Sequence, residues 1–412
     1  MAYIISAQGV LFDTLEGPLA PHVASFATSI KEAGYRVGSM QGQVRLVGFF
    51  DRWLDKNKVP LRDVSAEHAE RFLRDRARRR RPCRGDRAAL AKCIAFLRDQ
   101  KVLSAPKIAT RPLSPAERCA QAYGRYLRED RALAKATIIN YAPFIRAFLK
   151  DRFGNERVTL SRLSAGDVVR FVQRQAPRLH LKRAQLLTTA LRSFLQYARY
   201  RGDITLDLAG AVPAVANWSM ASIPRAIATD QVRRLLAGID RGTAAGRRDY
   251  AILLLLARLG VRLSEVVSLD LDDIDWNASC LHVRGKGGRR LELPLSKDVG
   301  TAIALYLRYG RPQSTSRRVF LRCRAPIEGF RGASGVGSLV RHAIIRADIS
   351  SPTKGAHQFR HALATQMLRG GASLSEIGTL LGHRSQETTK IYTKVDLDAL
   401  RTLALPWPRG AR

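Results

Sequence analysis

Apolar residues recur three and four positions apart through two stretches of the chain, about 1–102 and 114–210. That spacing collects them on one face of an α-helix, so each stretch reads as a small helical bundle. The two stretches also resemble each other. DVSAEHAERFLRDR (63–76) and RLSAGDVVRFVQRQ (162–175) share Ser-Ala and Arg-Phe in register. GYRVGSMQGQVRLVGFFDRWL (34–54) corresponds loosely to ALAKATIINYAPFIRAFLKDR (132–152), and each stretch closes on one more helical run. The pattern favours a duplicated bundle, with convergent helical patterning as the alternative.

A third stretch, 227–395, changes its period. RRDYAILLLLARLG (247–260) predicts a helix stopped by Gly260, and RLSEVVSLD opens another. CLHVRGKGGRRLELPL (280–295) alternates apolar and polar residues on both sides of a Gly-rich turn, the pattern of a β-hairpin. Further helices are expected at about 297–309, 335–347 and 356–369, the last ended by Gly370 and Gly371. Ser373 and Glu376 form a capping box for the next helix, and Ser385 is placed to cap a final short helix carrying Tyr392. The predicted fold is mainly α, with a small β-hairpin in an α+β third block. LSAPKIATRPLSP (103–115) and AVPAVANWSMASIPRA (211–226) lack a hydrophobic period and read as linkers.

Charge narrows the partner. The 412 residues hold 70 Lys and Arg against 35 Asp and Glu, a net charge of +35. Such an excess repels itself unless a polyanion neutralises it, and nucleic acid is the natural one. An anionic membrane would require a basic amphipathic anchor or a lipidation signal, and neither is evident. The longest apolar run, AILLLLA (251–257), is too short to span a bilayer, and the first residues do not read as a secretory signal. Five scattered cysteines without a CxxC pair read as reduced cytosolic thiols and provide no zinc site. The densest basic run is RDRARRRRPCRGDR (74–87), in which Arg78, Arg79, Arg80 and Arg81 are candidate DNA-phosphate contacts; a solvated loop is the plainer reading.

In the third block, polar residues occupy positions that packing does not require. Arg262 lies between two helices, and Lys286 sits in the hairpin turn RGKGGR. His357 and Arg360, three apart, share a helix face. His383 follows a helix, and Tyr392 comes nine residues later. Taken singly, each is more often a surface or core residue. His357 and His361 are also spaced to share a metal, although no H-E-x-x-H glutamate accompanies them.

Together and in order, G-x-R-x-x-E, a hairpin G-K-G, H-x-x-R, L-G-H and the following tyrosine resemble the catalytic domain of the tyrosine recombinase (phage integrase) family. The resemblance covers 227–395 closely. It extends to 114–210, which is similar to the family's helical, SAM-like core-binding domain. One departure lies after G-K-G, where GRRLEL replaces a basic-acidic-basic run.

The resemblance implies a site-specific DNA recombinase, an integrase or transposon-type enzyme of a mobile element in the bacterial cytoplasm. Tyr392 would attack phosphorus to give a 3′-phosphotyrosyl link, with no metal, ATP or other cofactor. Arg262 and Arg360 would clamp the phosphate, with His357 and His383 adding hydrogen bonds. Lys286 would be the general acid for the 5′-oxygen, and Glu265 would buttress the site. A cationic pocket is expected to favour the ionised phenol. The working assembly would be a homotetramer on two double-stranded DNA sites, with the tail 396–412 packing on a neighbour and sister or accessory recombinases as possible partners. A type IB topoisomerase-like enzyme and a DNA-binding paralogue are the competing readings. Block 1–102 would be a second, core-binding-like DNA-binding bundle or a protein–protein module.

Overall fold

A computed structural model describes residues 4–6, 9–11, 17–81, 83–104, 112–216, 226–285, 290–351, 355–383 and 385–395. Lys286, most of both linkers and the tail 396–412 lie outside these residues. The chain forms two compact units: Met1–Pro106 together with Ser222–Arg412, and Lys107–Ala221.

In the first unit, strands β1 (Ile4–Ser6) and β2 (Gly9–Leu11) pair antiparallel ahead of four helices. These are α1 (Ala20–Glu32), α2 (Val37–Lys56), α3 (Ala66–Ala77) and α4 (Asp86–Asp99). Their apolar faces meet in a core that includes Phe26, Val47, Phe50, Leu90 and Leu97. The second unit contains α5 (Pro115–Glu129), α6 (Lys135–Phe153), α7 (Ala165–Gln175) and α8 (Leu181–Tyr200) around a core of its own. Its helix starts are written in the sequence. Ser114 with Glu117 and Ser164 with Asp167 form reciprocal capping boxes that satisfy otherwise orphaned amides.

The two four-helix sets match in helix order, although the second has a further 3₁₀ turn, Ala176–Arg178, before its last helix. A 3₁₀ turn precedes the third helix in each, at Leu61–Asp63 and at Leu160–Arg162. Phe50 meets Phe72 with ring centroids 5.3 Å apart, and Phe148 meets Phe171 at 5.2 Å. Both phenylalanine pairs fall at equivalent positions of the two sequence stretches.

The rest of the first unit is mixed. After α9 (Thr229–Ala237), α10 (Ala244–Arg258) runs through the centre of the core. Ala251 to Leu256 are all buried, which is why AILLLLA is apolar around the whole helix. Next come α11 (Leu263–Ser268) and a three-stranded antiparallel sheet of β3 (Ile274–Asp275), β4 (Cys280–Arg284) and β5 (Arg290–Pro294). The hairpin alternates as its sequence does, with Leu281 and Val283 buried opposite Leu293 and Leu291. The two-residue β3 has no strand pattern of its own, since its sequence continues an acidic run. The remaining helices are α12 (Lys297–Tyr309), α13 (Ala333–Arg346), α14 (His357–Arg369), α15 (Leu374–Leu380) and α16 (Gln386–Thr389).

The N-terminal four-helix set meets this mixed part at the end of α1. Ala33 O accepts the Ile327 amide N–H at 2.9 Å. Gly34 beside it has φ +81°, and a Cβ there would lie 2.4 Å from Ile327 Cγ1, so glycine is required twice over. Cys83, Cys93, Cys119, Cys280 and Cys323 are all free. Among the described residues, no helix is long and apolar enough to cross a membrane.

Candidate active site

Three segments distant in sequence converge on Arg360. Its Cα lies in the first turn of α14, and its side chain is 6% exposed. Nη1 donates to Gly260 O at 2.7 Å, and Nη2 donates to Leu381 O. Gly260 closes α10 at φ +59°, two residues before Arg262, and Leu381 closes α15, two residues before His383. One guanidinium therefore fixes the approach of both neighbouring site residues. Gly260 leaves no room for a side chain, since a Cβ would come within 2.8 Å of Leu381 Cδ2.

Arg262 is the N-cap of α11, in extended conformation. Its amide N–H donates to Glu265 Oε2 at 2.7 Å, and its Nη1 donates to Glu265 Oε1 at 2.6 Å. Glu265 is buried, and its ionised carboxylate gains from both charge-assisted bonds. Arg262 also lines a cleft of about 660 Å³ with Glu265, Gly285, Arg290, Gly382 and His383. Gly285 and Arg290 flank the hairpin turn in which Lys286 sits; Lys286 itself lies outside the described residues. A larger, mostly apolar groove of about 1000 Å³ between α10 and α12 contains none of these residues.

Tyr392 is carried by the short final helical stretch expected for it, which starts directly after Ser385. It lies in a 3₁₀ helix, Lys390–Val395, that follows the four-residue α16. Thr388, Thr389, Ile391 and Thr393 are β-branched, which disfavours a longer α-helix here. The ring is 1% exposed and packs with Ala364, Ile377 and Leu381. Its hydroxyl is 3.0 Å from His361 Nδ1. The His383 ring lies nearly parallel to it, 6° off plane with centroids 6.4 Å apart, and His383 Nδ1 is 2.8 Å from Thr389 Oγ1. His357, at the exposed first position of α14, borders the cluster.

The electrostatics are those of a cationic, desolvated site. Burial and then Arg262 lower the Arg360 guanidinium to about 10, which leaves it charged at neutral pH. Partial desolvation, then Arg360 and Arg262, lower His357. The same three causes, with His361, bring His383 down to about 4. His361 is lowered by burial and then by His357 and Arg360. The expectation for Tyr392 is overturned. Burial raises its phenol above the ordinary value, and Arg360 only partly offsets that. The side chain is enclosed by apolar neighbours, so desolvation outweighs the nearby charge.

Arg262, Glu265, His357, Arg360, His383 and Tyr392 are thus gathered in one place. Arg78, Arg79, Arg80 and Arg81 are exposed in the α3–α4 connection. Among the described residues, no group of three or more His, Cys, Asp or Glu is arranged to hold a metal ion. In the sequence His361 stands out only as part of H-x-x-R-H or as a metal ligand with His357, and Thr389 does not stand out; nothing in their spacing shows that they meet Tyr392 and His383.

Residues 225–398 match the phage integrase family, and residues 120–202 match the phage integrase N-terminal SAM-like domain. Over the full length of both chains, this one is 56% identical to the putative integrase/recombinase y4rA of Sinorhizobium fredii. It is 32% identical to the tyrosine recombinase XerD of Mycobacterium tuberculosis, over 68% of this chain and 94% of that one. Two solved structures share the fold. The XerH site-specific recombinase bound to palindromic difH substrate aligns with TM-score 0.57 and 17% identity over 75% of this chain and 93% of that one. The Tn1549 transposon integrase with circular intermediate DNA aligns with TM-score 0.52 and 16% identity over 69% of this chain and 99% of that one.

Proposed function

This chain belongs to the phage integrase family, the site-specific tyrosine recombinases that cleave and rejoin DNA, and from that premise we propose the role of each site residue. Tyr392 attacks the scissile phosphorus and holds the 3′ end as a phosphotyrosyl ester, a covalent strategy that conserves the bond energy for rejoining. Arg262 and Arg360 bind the non-bridging oxygens. Guanidinium groups suit this task because they stay charged and present planar forks. His357 and His383 donate further hydrogen bonds, and Lys286 protonates the departing 5′-oxygen. Glu265 holds Arg262 in place. Each fixed donor contributes about 10²- to 10³-fold to such a reaction.

The observation that carries this reading is the grip of Arg360 on Gly260 O and Leu381 O. It explains why residues a hundred positions apart surround one point, and it leaves the clamp pre-organised before DNA arrives.

The net charge of +35 favours a long DNA footprint. The repeated helix order and the paired phenylalanines support residues 1–102 as a second core-binding-like bundle, with Arg78 to Arg81 on phosphates. We take the working assembly to be a tetramer on two sites in the bacterial cytoplasm, encoded by a mobile element, with 396–412 docking on a neighbour.

Trapping tests the reading. The protein is incubated with a pool of nicked duplexes, the detergent-stable adducts are isolated, and their DNA is sequenced. A recurring sequence around the broken strand is expected. Adducts spread evenly over the pool would favour topoisomerase-like relaxation, and no adducts at all would favour a DNA-binding paralogue.

A further inference from the structure

A phenol must lose its proton to become an effective nucleophile, and burial holds that of Tyr392 in the neutral form. The structure pairs the hydroxyl with His361 Nδ1 at 3.0 Å, and the two ring centroids are 5.6 Å apart. His361 follows Arg360 directly on α14 and is partly buried. The other histidines are differently engaged. His383 Nδ1 bonds Thr389 Oγ1 and shows Tyr392 its ring face. His357 stands one turn earlier, at the exposed start of the helix.

We propose that His361 Nδ1 takes the hydroxyl proton of Tyr392 as the phenolic oxygen attacks phosphorus, and returns it on rejoining. This rests on Tyr392 being the nucleophile. In the forward step the Oη–H bond breaks and its proton passes to Nδ1. The Oη–P bond forms while the P–O5′ bond breaks, and the 5′-oxygen leaves with the electron pair and takes a proton from Lys286. In the reverse step the 5′-hydroxyl returns its proton to the Lys286 amine as the P–O5′ bond forms, the Oη–P bond breaks, and the departing phenolate recovers its proton from the imidazolium.

A neutral imidazole with its proton on Nε2 has the lone pair at Nδ1 that this step needs. The titratable groups around it are His357 and Arg360 on the same helix, His383 after α15, and Tyr392 itself. Burial, and after it the charge on His357 and Arg360, disfavours an imidazolium, which keeps His361 neutral at pH 7. A bound phosphate offsets that positive charge, so His361 becomes more basic when substrate is present.

His361→Asn separates proton transfer from positioning, because its amide oxygen can still accept the hydroxyl but cannot take up a proton. Single-turnover cleavage is compared on substrates carrying either an ordinary 5′-oxygen or a bridging 5′-sulfur, whose thiolate leaves without a general acid. The variant is expected to be about 10²- to 10⁴-fold slower on both. The deficit should shrink as pH rises past about 10, the ordinary phenol value, because burial places the ionisation of Tyr392 above it. Parental rates, or a deficit independent of pH, would overturn the inference and leave His361 a packing residue. If His361→Asn fails to fold, His361→Ala with added imidazole decides: recovery of cleavage supports proton transfer, and no recovery overturns it. The two readings fail separately. An adduct formed by Tyr392→Phe sinks the nucleophile assignment, whereas full-rate cleavage by His361→Asn beside a dead Tyr392→Phe sinks only this one.

Discussion

Glu265 grips Arg262 at both ends: Oε2 accepts the backbone amide at 2.7 Å, and Oε1 accepts Nη1 at 2.6 Å. The carboxylate is buried, so its charge requires this partner, and the arginine is left with a single orientation. Glu265→Gln keeps the shape and can keep one bond, but it loses the ion pair. Cleavage should fall by at least tenfold while DNA affinity changes little. Glu265→Ala should in addition lower unfolding free energy by about 1–3 kcal/mol, seen as an earlier urea midpoint. Unchanged cleavage in both variants would remove Glu265 from the site.

Arg360→Lys preserves the charge but cannot reach Gly260 O and Leu381 O together. Cleavage should drop by about 10²- to 10³-fold, the usual loss for one transition-state donor. EDTA should leave parental cleavage undiminished, because the proposed donors are side chains; a strict Mg²⁺ requirement would contradict this.

Acid should destabilise the catalytic part. Free histidine titrates near 6.5, whereas His383 in the fold titrates at about 4. Between those values the unfolded chain holds a proton that the folded chain lacks, so stability falls as pH drops through the window. His357 and His361 act in the same direction. The melting temperature should fall from pH 7 to pH 5, and less steeply in His383→Gln. A flat or rising profile would show that these imidazoles are not desolvated.

The N-terminal bundle is best tested without deleting it, because removal strips the Ile327 amide of its acceptor, Ala33 O. Replacing Arg78, Arg79, Arg80 and Arg81 with serine leaves that hydrogen bond intact. If these residues neutralise phosphates, the slope of log affinity against log salt should flatten by about 0.9 for each phosphate no longer neutralised. An unchanged slope with weakened higher-order assembly would make the bundle a protein–protein module.

Much of this is legible in the sequence because its causes are local. Ser373 and Glu376 cap a helix three residues apart, Gly260 stops one with a left-handed residue, and the 280–295 hairpin alternates as it should. The Arg262, Arg360, His383 and Tyr392 pattern is visible as motif and spacing. What sequence cannot show depends on tertiary packing. His361 and Tyr392 are 31 residues apart and meet only because α14, α15 and the final 3₁₀ helix stack. The direction of the Tyr392 shift runs against the sequence-based expectation for the same reason: charge can be counted along a chain, whereas enclosure by Ala364, Ile377 and Leu381 cannot. The carbonyl grip of Arg360 has no sequence signature.

The most direct measurement is the identity of the residue that carries the DNA. A detergent-stable adduct on a nicked site is digested with protease and nuclease, and the nucleotide-bearing peptide is sequenced by tandem mass spectrometry. The account predicts the nucleotide on Tyr392, through a 3′-phosphate, and no adduct from Tyr392→Phe despite normal DNA binding. A nucleotide on any other residue, or an adduct that persists in Tyr392→Phe, would contradict it.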